Sequence, residues 1–321
     1  MGDQFEAYRK AAVRAVESQL GYQAADGGFI WEGYAPDAYH KQCYSWTLSG
    51  FVEPAQKLMT WVKADRLQAD GQLKEYAGDV YKHAWLFHGA HRIGRFDVSY
   101  PVMDWLRSVE APCGGLPHMA GEPYCRILST CMAGLGAIYA GDMAFAERIA
   151  EWTMGVLAQQ TDDARFYYRT TPHGRLITPK VEDDALFIDT AQPGQPYWEV
   201  GLPIQLMLRL AMATGDATWI ERARPFLDFM YLCAEDKFTF AGSGKSALGA
   251  AMFYLLTGDK KARGSALTYG DHLVATQLDN GGWHDPAEPN MLVTFVDHAA
   301  EFAVWLQELA SIIPAADTLW G

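Results

Sequence analysis

Gln23-Ala24-Ala25-Asp26-Gly27-Gly28-Phe29 is one copy of a glycine-pair stretch that returns along the chain and decides its fold. Its best match is Gln277-Leu278-Asp279-Asn280-Gly281-Gly282-Trp283, and shorter relatives are Asp70-Gly71-Gln72-Leu73 and Cys113-Gly114-Gly115-Leu116. The first three copies lie about 44 residues apart, a period typical of arrays of helical hairpins. A glycine turn between one helix and the next therefore predicts a chain built from repeated helix pairs.

A second motif, glycine followed by aspartate, alternates with the glycine pairs. It occurs at Ala140-Gly141-Asp142, Thr214-Gly215-Asp216 and Thr257-Gly258-Asp259. Glycine adopts the left-handed conformation that ends a helix, and aspartate accepts hydrogen bonds from the first N–H groups of the next helix. Each copy of this motif therefore predicts one helix end followed directly by a helix start.

The composition is that of an acidic chain with a large apolar fraction. Of the 321 residues, 50% are apolar and the formal net charge is −13, so a full core can form but no basic stripe is available for nucleic acid. The five cysteines are an odd number without Cys-x-x-Cys spacing, which favours a reducing compartment. Met1–Arg9 lacks the apolar core of a signal peptide, and no apolar run is long enough to span a membrane. We expect a cytoplasmic protein.

Helical periodicity separates two sets of six helices. One set is amphipathic and is expected at the surface, whereas the other is apolar nearly all round and is expected to be buried. The amphipathic helices are predicted at 5–20, 53–66, 97–108, 142–158, 216–234 and 260–276. The apolar helices are predicted at 37–50, 79–93, 122–140, 197–214, 245–257 and 290–311.

Six outer helices that alternate with six inner ones predict an all-α fold, an (α/α)6 toroid formed by residues 1–321 as a single domain. One long connection, 159–196, interrupts this alternation. Within it, Arg165–Arg169 and Leu186–Asp189 are predicted to form a small β-hairpin flap at 162–190, because long loops of this kind are often lids.

The glycine-pair stretches resemble the repeats of a known superfamily. Residues 23–29 and 277–283 are similar to the Gln…Gly-Gly-Phe/Trp repeats of the terpenoid-cyclase and protein-prenyltransferase toroids. Cys43-Tyr44-Ser45-Trp46 is similar to a Cys-Tyr-Ser-Phe-Trp run in prenyltransferase beta subunits. Related repeats also occur in polysaccharide-cluster proteins and toroidal glycosidases. The resemblance implies the toroid architecture and does not choose an activity, because one fold hosts many chemistries.

The candidate site residues are polar and aromatic side chains near the N-terminal ends of the inner helices, where the mouth of a toroid pocket is expected. Acids, imidazoles and phenols in one pocket can transfer protons, and aromatic rings can stack on sugars or stabilise carbocations. The catalytic candidates are Asp79, Glu199, Asp37, His40, His83, His284 and Asp285. The substrate-binding candidates are Tyr39, Tyr44, Trp46, His118, Tyr124, Tyr197, Trp198, Asn290, Asp297 and His298.

Asp79 and Glu199 are the favoured catalytic pair. Glycoside hydrolysis needs one carboxyl as a general acid and a second as a base or nucleophile, and these two acids begin different inner helices. Asp37 and Asp285 are the next candidates. If the reaction is an epimerisation or an elimination, the histidines would transfer the protons instead.

Structural roles for several of these residues stay open at the level of sequence. Asp79 is also explained as a helix N-cap, and His83 as a hydrogen-bonded histidine of the core. Trp283 is favoured as a packing residue, because the repeat places an aromatic ring there between helices.

Three kinds of function fit these features. The first is a carbohydrate-active enzyme, a hydrolase, lyase or epimerase, with a small-molecule or oligosaccharide substrate and no cofactor. The second is an enzyme that cyclises, hydrates or isomerises an isoprenoid, although Glu182-Asp183-Asp184 lacks the Asp-x-Asp-Asp pattern of acid-catalysed cyclases. The third is a toroid that binds glycans without catalysis. The oligomeric state is not predicted.

A zinc site like that of the prenyltransferases is a further alternative. Such a site uses a cysteine, an acid two residues before it and a distant histidine. Cys43 and His298 match two of these positions, but Lys41 stands where the acid is needed. Asp37, His40 and Asp297 are the alternatives for that ligand, but the mismatch argues against catalytic zinc. We therefore predict no bound metal.

Overall fold

A computed structural model describes residues 2–28, 39–178, 186–283 and 292–321 of the chain. The described residues form twelve α-helices and four short β-strands. The chain divides into two compact units. Unit 1 comprises Met1–Ala77, Lys82–Trp105 and Gly270–Pro314, and unit 2 comprises Gly78–Tyr81, Leu106–Tyr269 and Ala315–Gly321.

The helices follow the two predicted sets. The amphipathic helices are α1 (Gly2–Leu20), α3 (Val52–Trp61), α5 (Phe96–Ser108), α7 (Met143–Ala158), α9 (Thr218–Leu232) and α11 (Lys260–Thr276). The apolar helices are α2 (Gln42–Leu48), α4 (Val80–Arg92), α6 (Ile127–Ala140), α8 (Trp198–Thr214), α10 (Gly244–Thr257) and α12 (Leu292–Trp320). The apolar set is buried because it has no charged face, as in α6, where every residue from Ile127 to Ala137 is buried. None of the described helices is long and apolar enough to cross a membrane.

Four helix boundaries differ from the prediction by five residues or more, and one of them is the start of α2 at Gln42 instead of residue 37. The helix predicted to start at residue 122 begins at Ile127, because Cys125–Arg126 form a strand first. α12 continues to Trp320 instead of stopping at 311. α3 ends at Trp61, and the predicted remainder, Val62–Arg66, is a single turn of π-helix.

The connection between α7 and α8 contains the predicted pairing of strands. β2 (Arg165–Tyr167) pairs antiparallel with β4 (Phe187–Asp189), which confirms this part of the flap prediction. A second antiparallel pair, β1 (Cys125–Arg126) with β3 (Arg169–Thr170), was not predicted. It ties the connection to the segment that leads into α6.

The four glycine-pair turns have one geometry. In each turn, the N–H of the residue three positions before the first glycine donates to the C=O of the residue after that glycine, as from Ala24 to Gly28 at 2.9 Å. The first glycines have positive φ angles: 91° at Gly27, 86° at Gly71, 88° at Gly114 and 87° at Gly281. Only glycine adopts this conformation without strain.

Each turn also packs closely against an amphipathic helix. A Cβ atom on Gly27 would collide with the backbone of Lys57 in α3, and one on Gly281 would collide with the backbone of Arg14 in α1. The side chain of Gln277 donates to the C=O groups of both Gly281 and Ala11 at 2.8 Å. The indole of Trp283 is buried and donates to a backbone C=O of α11 at 2.8 Å, so its predicted packing role is confirmed.

The glycine–aspartate motifs end and start helices as predicted. Gly141, Gly215 and Gly258 end their helices in the left-handed conformation, with φ angles of 76°, 73° and 75°. The side chain of Asp142 then accepts a hydrogen bond from the N–H of Phe145 in the first turn of α7, at 3.1 Å. These motifs therefore fix where the apolar helices α6, α8 and α10 end and where the amphipathic helices α7, α9 and α11 begin.

Candidate functional site

The main cluster of titratable groups lies in unit 2 and starts from a short backbone bridge. The N–H of Val80 donates to the C=O of His118 at 3.0 Å, and the N–H of Ala120 donates to the C=O of Gly78 at 2.8 Å. Asp79 lies between these hydrogen bonds and is nine per cent exposed. The bridge therefore holds Asp79, directly before α4, beside the loop that precedes α6.

The same loop presents Glu122 and Tyr124. One carboxylate oxygen of Glu122 accepts the N–H of Met119 at 2.8 Å, and the other accepts the hydroxyl of Tyr124 at 2.7 Å. Burial and this hydrogen bond raise the pKa of Tyr124, while the charge of Arg169 opposes the change. Tyr124 is therefore a neutral phenol that donates to a carboxylate.

Glu199, in the first turn of α8, is the buried acid of the cluster. Its side chain is 0% exposed, and its Oε1 accepts from Nε of Arg126 at 2.6 Å. Its Oε2 accepts from the N–H of Leu128 in the first turn of α6 at 2.8 Å. Because both oxygens are bound and none of the side chain is exposed, Glu199 is best explained as the counter-ion of Arg126. No described residue bonds the two terminal nitrogens of this guanidinium.

His118 lies at the centre of these charges. Its Nδ1 lies 2.9 Å from the hydroxyl of Ser129, and no described residue forms a hydrogen bond with its Nε2. Burial, followed by the positive charge of Arg126, lowers the pKa of His118 below the ordinary value of 6.5. Three carboxylates oppose this change: Asp79, Glu122 and Glu199. At neutral pH the imidazole is therefore a neutral base.

Replacing Asp79 with asparagine is expected to lower the pKa of His118 further. The change removes a carboxylate that favours the imidazolium ion, while the side chain keeps nearly the same shape. The measurement is a chemical-shift titration of the imidazole Cε1 proton, assigned by its loss in the His118→Asn variant. Asp163→Asn, an exposed site in the same unit, serves as the control. A pKa that stays constant or rises in Asp79→Asn would show that the two groups are not coupled.

A second cluster lies in unit 1 around a buried lysine. Nζ of Lys41 bonds Asp297 at 2.7 Å and Glu301 at 2.6 Å, and it lies 5.6 Å from the ring centre of Trp85. Nε2 of His40 lies 3.6 Å from the other oxygen of Asp297. The lysine side chain is 5% exposed, so its charge needs both carboxylates. The cluster joins α2 to α12.

Two predicted substrate-binding tyrosines of unit 1 are engaged by acids. The hydroxyl of Tyr39 donates to Glu75 at 3.0 Å, and burial raises the pKa of this phenol far above its usual range. The hydroxyl of Tyr44 donates to Glu308 at 2.8 Å and accepts from Arg92 at 2.8 Å. Both phenols are buried, and the hydrogen bonds of Tyr44 link α2 to α4 and α12.

His83 and Trp46 are fully buried in unit 1. Nε2 of His83 accepts the N–H of Leu73 at 2.8 Å, and its ring centre lies 4.1 Å from that of Trp105. The indole of Trp46 donates to Gln19 at 3.3 Å. His83 is therefore the hydrogen-bonded core histidine that the sequence left open as an alternative to a catalytic one.

The remaining sequence candidates are spread over both units or lie outside the described residues. In unit 2, the hydroxyl of Tyr197 donates to Asp236 at 2.6 Å, and the indole of Trp198 packs on Gly242. In unit 1, His298 stacks on Phe302 with ring centres 5.5 Å apart. Outside the described residues lie Asp37, His284, Asp285 and Asn290.

The two residues that match the prenyltransferase zinc site, Cys43 and His298, belong to unit 1. Cys43 is fully buried, and burial raises the pKa of its thiol well above the usual range. In the part of the chain that the structure describes, no three His, Cys, Asp or Glu side chains form a group that could hold a metal ion.

The cations of both clusters are missing from the sequence-based candidates. They are Arg126, Lys41 and Arg92, each bound to a buried or half-buried acid. The sequence feature that points to such cations is the presence of acids in apolar helices, because a buried carboxylate needs a cation beside it. The sequence does not say which cation, since the partners lie up to 260 positions apart.

Two grooves in unit 2 lie away from these residues. A groove of about 1010 Å³ is lined by Arg148, Trp152, His173 and neighbouring side chains. A smaller one of about 380 Å³ is lined by Phe166, Asp228 and others. None of the described candidate site residues lines either groove. The convergence of proton-transfer groups on His118 therefore defines the candidate site.

Comparison with solved structures establishes the fold. An inactive variant of the α-1,6-mannanase GH76A of Salegentibacter sp. HEL1_6, with two adjacent aspartates replaced and α-1,6-mannotetrose bound, is similar with a TM-score of 0.67 and 13% identity. The alignment covers 95% of this chain and 99% of that one. No protein-family model matches the chain, and no curated protein matches it by sequence.

Two further structures share this similarity. A D-mannose isomerase has a TM-score of 0.67 and 12% identity, with 94% of this chain and 96% of that chain covered. An unsaturated glucuronyl hydrolase specific for heparin has a TM-score of 0.65 and 10% identity, with 98% of each chain covered. The predicted (α/α)6 toroid is confirmed as the fold class, of the type seen in toroidal glycosidases.

Proposed function

We propose that this protein is a carbohydrate-active enzyme that moves a proton on a sugar, as an isomerase or epimerase. The observation that carries the proposal is His118, a half-buried neutral imidazole whose Nε2 forms no hydrogen bond with the described residues, surrounded by three carboxylates and Arg126. General acid–base catalysis needs a base that is neutral near the working pH. The similar D-mannose isomerase supports the proposal, because it shows that this fold can carry such a reaction.

The chemistry follows from the groups of the cluster. The reaction begins when a base removes the proton from the carbon next to a sugar carbonyl, and neutral His118 takes this role. The C–H electron pair moves towards the carbonyl oxygen, and the terminal N–H groups of Arg126 stabilise the negative charge that develops there. Return of the proton to the former carbonyl carbon, with transfer of the adjacent hydroxyl proton to the former carbonyl oxygen, gives the isomer. Return of the proton to the original carbon, after the planar intermediate has turned its other face to His118, gives the epimer. Tyr124 and Glu122 exchange protons with the sugar hydroxyls.

Hydrolysis by the pair favoured from the sequence has less support. A glycosidase needs two carboxyls that both reach the sugar. Glu199 is fully buried and bound through both oxygens. In a hydrolase, Glu122 would therefore have to take the place of Glu199 as the second carboxyl beside Asp79. The relation of the glycine-pair stretches to terpenoid cyclases stays a prediction. The cytoplasmic location stays a prediction too, and an isoprenoid substrate stays an alternative.

The proposal is tested by proton exchange. The protein is incubated in D2O with neutral sugars (mannose, glucose, fructose and N-acetylglucosamine) and with two acidic ones (glucuronate and mannose 6-phosphate), and deuterium at the carbon next to the carbonyl is followed by NMR. We expect exchange, accompanied by formation of the isomer or epimer, with at least one sugar. Release of reducing ends from α-1,6-mannotetrose without any exchange would instead identify a hydrolase. Binding of sugars without either reaction would favour the non-catalytic toroid.

A further inference from the structure

The short sheet beside the candidate site places two arginines directly opposite each other. In the antiparallel pair β1–β3, Arg126 is the register partner of Arg169, and Cys125 is the partner of Thr170. Like charges in directly opposed positions of a sheet repel each other. Such an arrangement is stable when anions neutralise both charges.

Only one of the two charges is neutralised by the described residues. Arg126 is bound to the buried carboxylate of Glu199. Arg169 forms no hydrogen bond or ion pair through its side chain with any described residue, and its Nε atom is buried without a partner. A buried donor without an acceptor is destabilising unless a ligand or water completes it.

The guanidinium of Arg169 is nevertheless held in place. It lies 4.5 Å from the ring centre of Tyr124 and 5.9 Å from that of Tyr168. Tyr124 is fixed in turn by its hydrogen bond to Glu122. Tyr124 therefore lies between Arg169 and Glu122, one of the acids around His118. The planar guanidinium of Arg169 presents a fork of N–H donors, and such a fork matches the oxygens of a carboxylate or phosphate.

We propose that Arg169 binds an anionic group on the substrate, so that the protein acts on an acidic sugar, either a uronate or a sugar phosphate. The proposal rests on the proposed function, because it assigns the substrate class of the same site. A neutral sugar would leave the charge of Arg169 without a counter-ion. The protein has a net charge of −13 and therefore repels anions as a whole. An anionic ligand consequently needs a preformed cationic group at its binding site.

The test is isothermal titration calorimetry of the full chain with sodium glucuronate, mannose 6-phosphate and mannose. We expect at least one of the two acidic sugars to bind more tightly than mannose. The Arg169→Gln variant should bind that acidic sugar about 10- to 100-fold more weakly, as expected for a lost hydrogen bond to a charged group. Mannose should bind both proteins equally. Glucuronate and mannose 6-phosphate separate a carboxylate site from a phosphate site.

Two variants control the measurement. Arg175→Gln removes an exposed arginine a few residues further along the same connection and should leave binding unchanged. Arg169→Lys keeps the charge but loses the planar fork, so its affinity should lie between those of the wild type and Arg169→Gln. Far-UV circular dichroism verifies that each variant is folded.

The outcomes separate this proposal from the proposed function. If mannose binds as tightly as the acidic sugars, or if Arg169→Gln binds them all with unchanged affinity, the acidic-substrate assignment is wrong while a sugar enzyme stands. If no sugar binds to the wild type and none exchanges protons in D2O, both proposals fail. If Arg175→Gln weakens binding as much as Arg169→Gln does, the effect is a general change in charge and the assignment to Arg169 is wrong.

Discussion

Replacing Glu199 with alanine lowers the free energy of unfolding by about 3–5 kcal/mol, the largest stability loss we expect from a single change in this protein. The variant leaves Arg126 half-buried without its carboxylate and the N–H of Leu128 buried without an acceptor. The change also removes the hydrogen bond that links the first turn of α8 to the first turn of α6. Urea unfolding, followed by circular dichroism at 222 nm, measures the effect.

Glu110→Ala is the matched control for this prediction. Glu110 also pairs with an arginine of unit 2 through two hydrogen bonds of 2.9 Å, but the side chain of that partner, Arg148, is 52% exposed. An exposed pair of this kind contributes less than about 1 kcal/mol. If both variants lose the same free energy of unfolding, the buried pair of Glu199 contributes no more than an exposed pair. The role of Glu199 as a buried counter-ion would then be wrong.

Replacing His118 with asparagine reduces turnover on the sugar substrate by about 10²- to 10⁴-fold while leaving the protein folded. The variant removes the proposed base, whereas asparagine retains a polar group beside Ser129. The measurement is the rate of deuterium exchange under saturating substrate. His173→Asn, an exposed histidine of the same unit, should keep full turnover. A His118→Asn enzyme with more than half of the wild-type rate would rule out His118 as the base.

The pH dependence follows from the lowered pKa of His118. Because the folded protein holds this pKa below 6.5, the base stays neutral and active at pH values where an ordinary histidine is protonated. The acidic limb of the rate profile should therefore lie below pH 6.5. The same shift affects stability: the unfolded chain binds the proton more readily, so the contribution of His118 is complete above pH 6.5 and is lost as the pH falls through the folded pKa.

The repeat made most of the fold predictable. Glycine at positions such as Gly27 and Gly281 is required by a positive φ angle and by contact with a neighbouring helix backbone. Both are local requirements that leave a mark in the sequence. The strand pair β1–β3 has no recognisable sequence pattern, because it joins two-residue segments about 44 positions apart.

The candidate site combines residues that the sequence analysis named in different roles, Asp79 as a catalytic and His118 as a substrate-binding candidate, and their assignment stays a prediction. Asp79 and His118 were both named from the sequence, and a backbone bridge of two hydrogen bonds brings their segments together. The role of Glu199 could not be predicted, because it depends on Arg126, which lies 73 positions away. Periodicity places an acid at the end of a buried helix, but it does not show whether that acid faces a substrate or an arginine.

The sequence by itself determined the order of the helices, the positions of their caps and turns, and the toroid class, because these follow from backbone conformation and helical periodicity. The tertiary structure alone decided which charges neutralise each other. In the tertiary structure Glu199 pairs with Arg126 and Lys41 pairs with Asp297, whereas Arg169 has no counter-ion among the described residues. Charge pairing acts between side chains distant in the chain, and its strength depends on burial, so it has no local signature in the sequence.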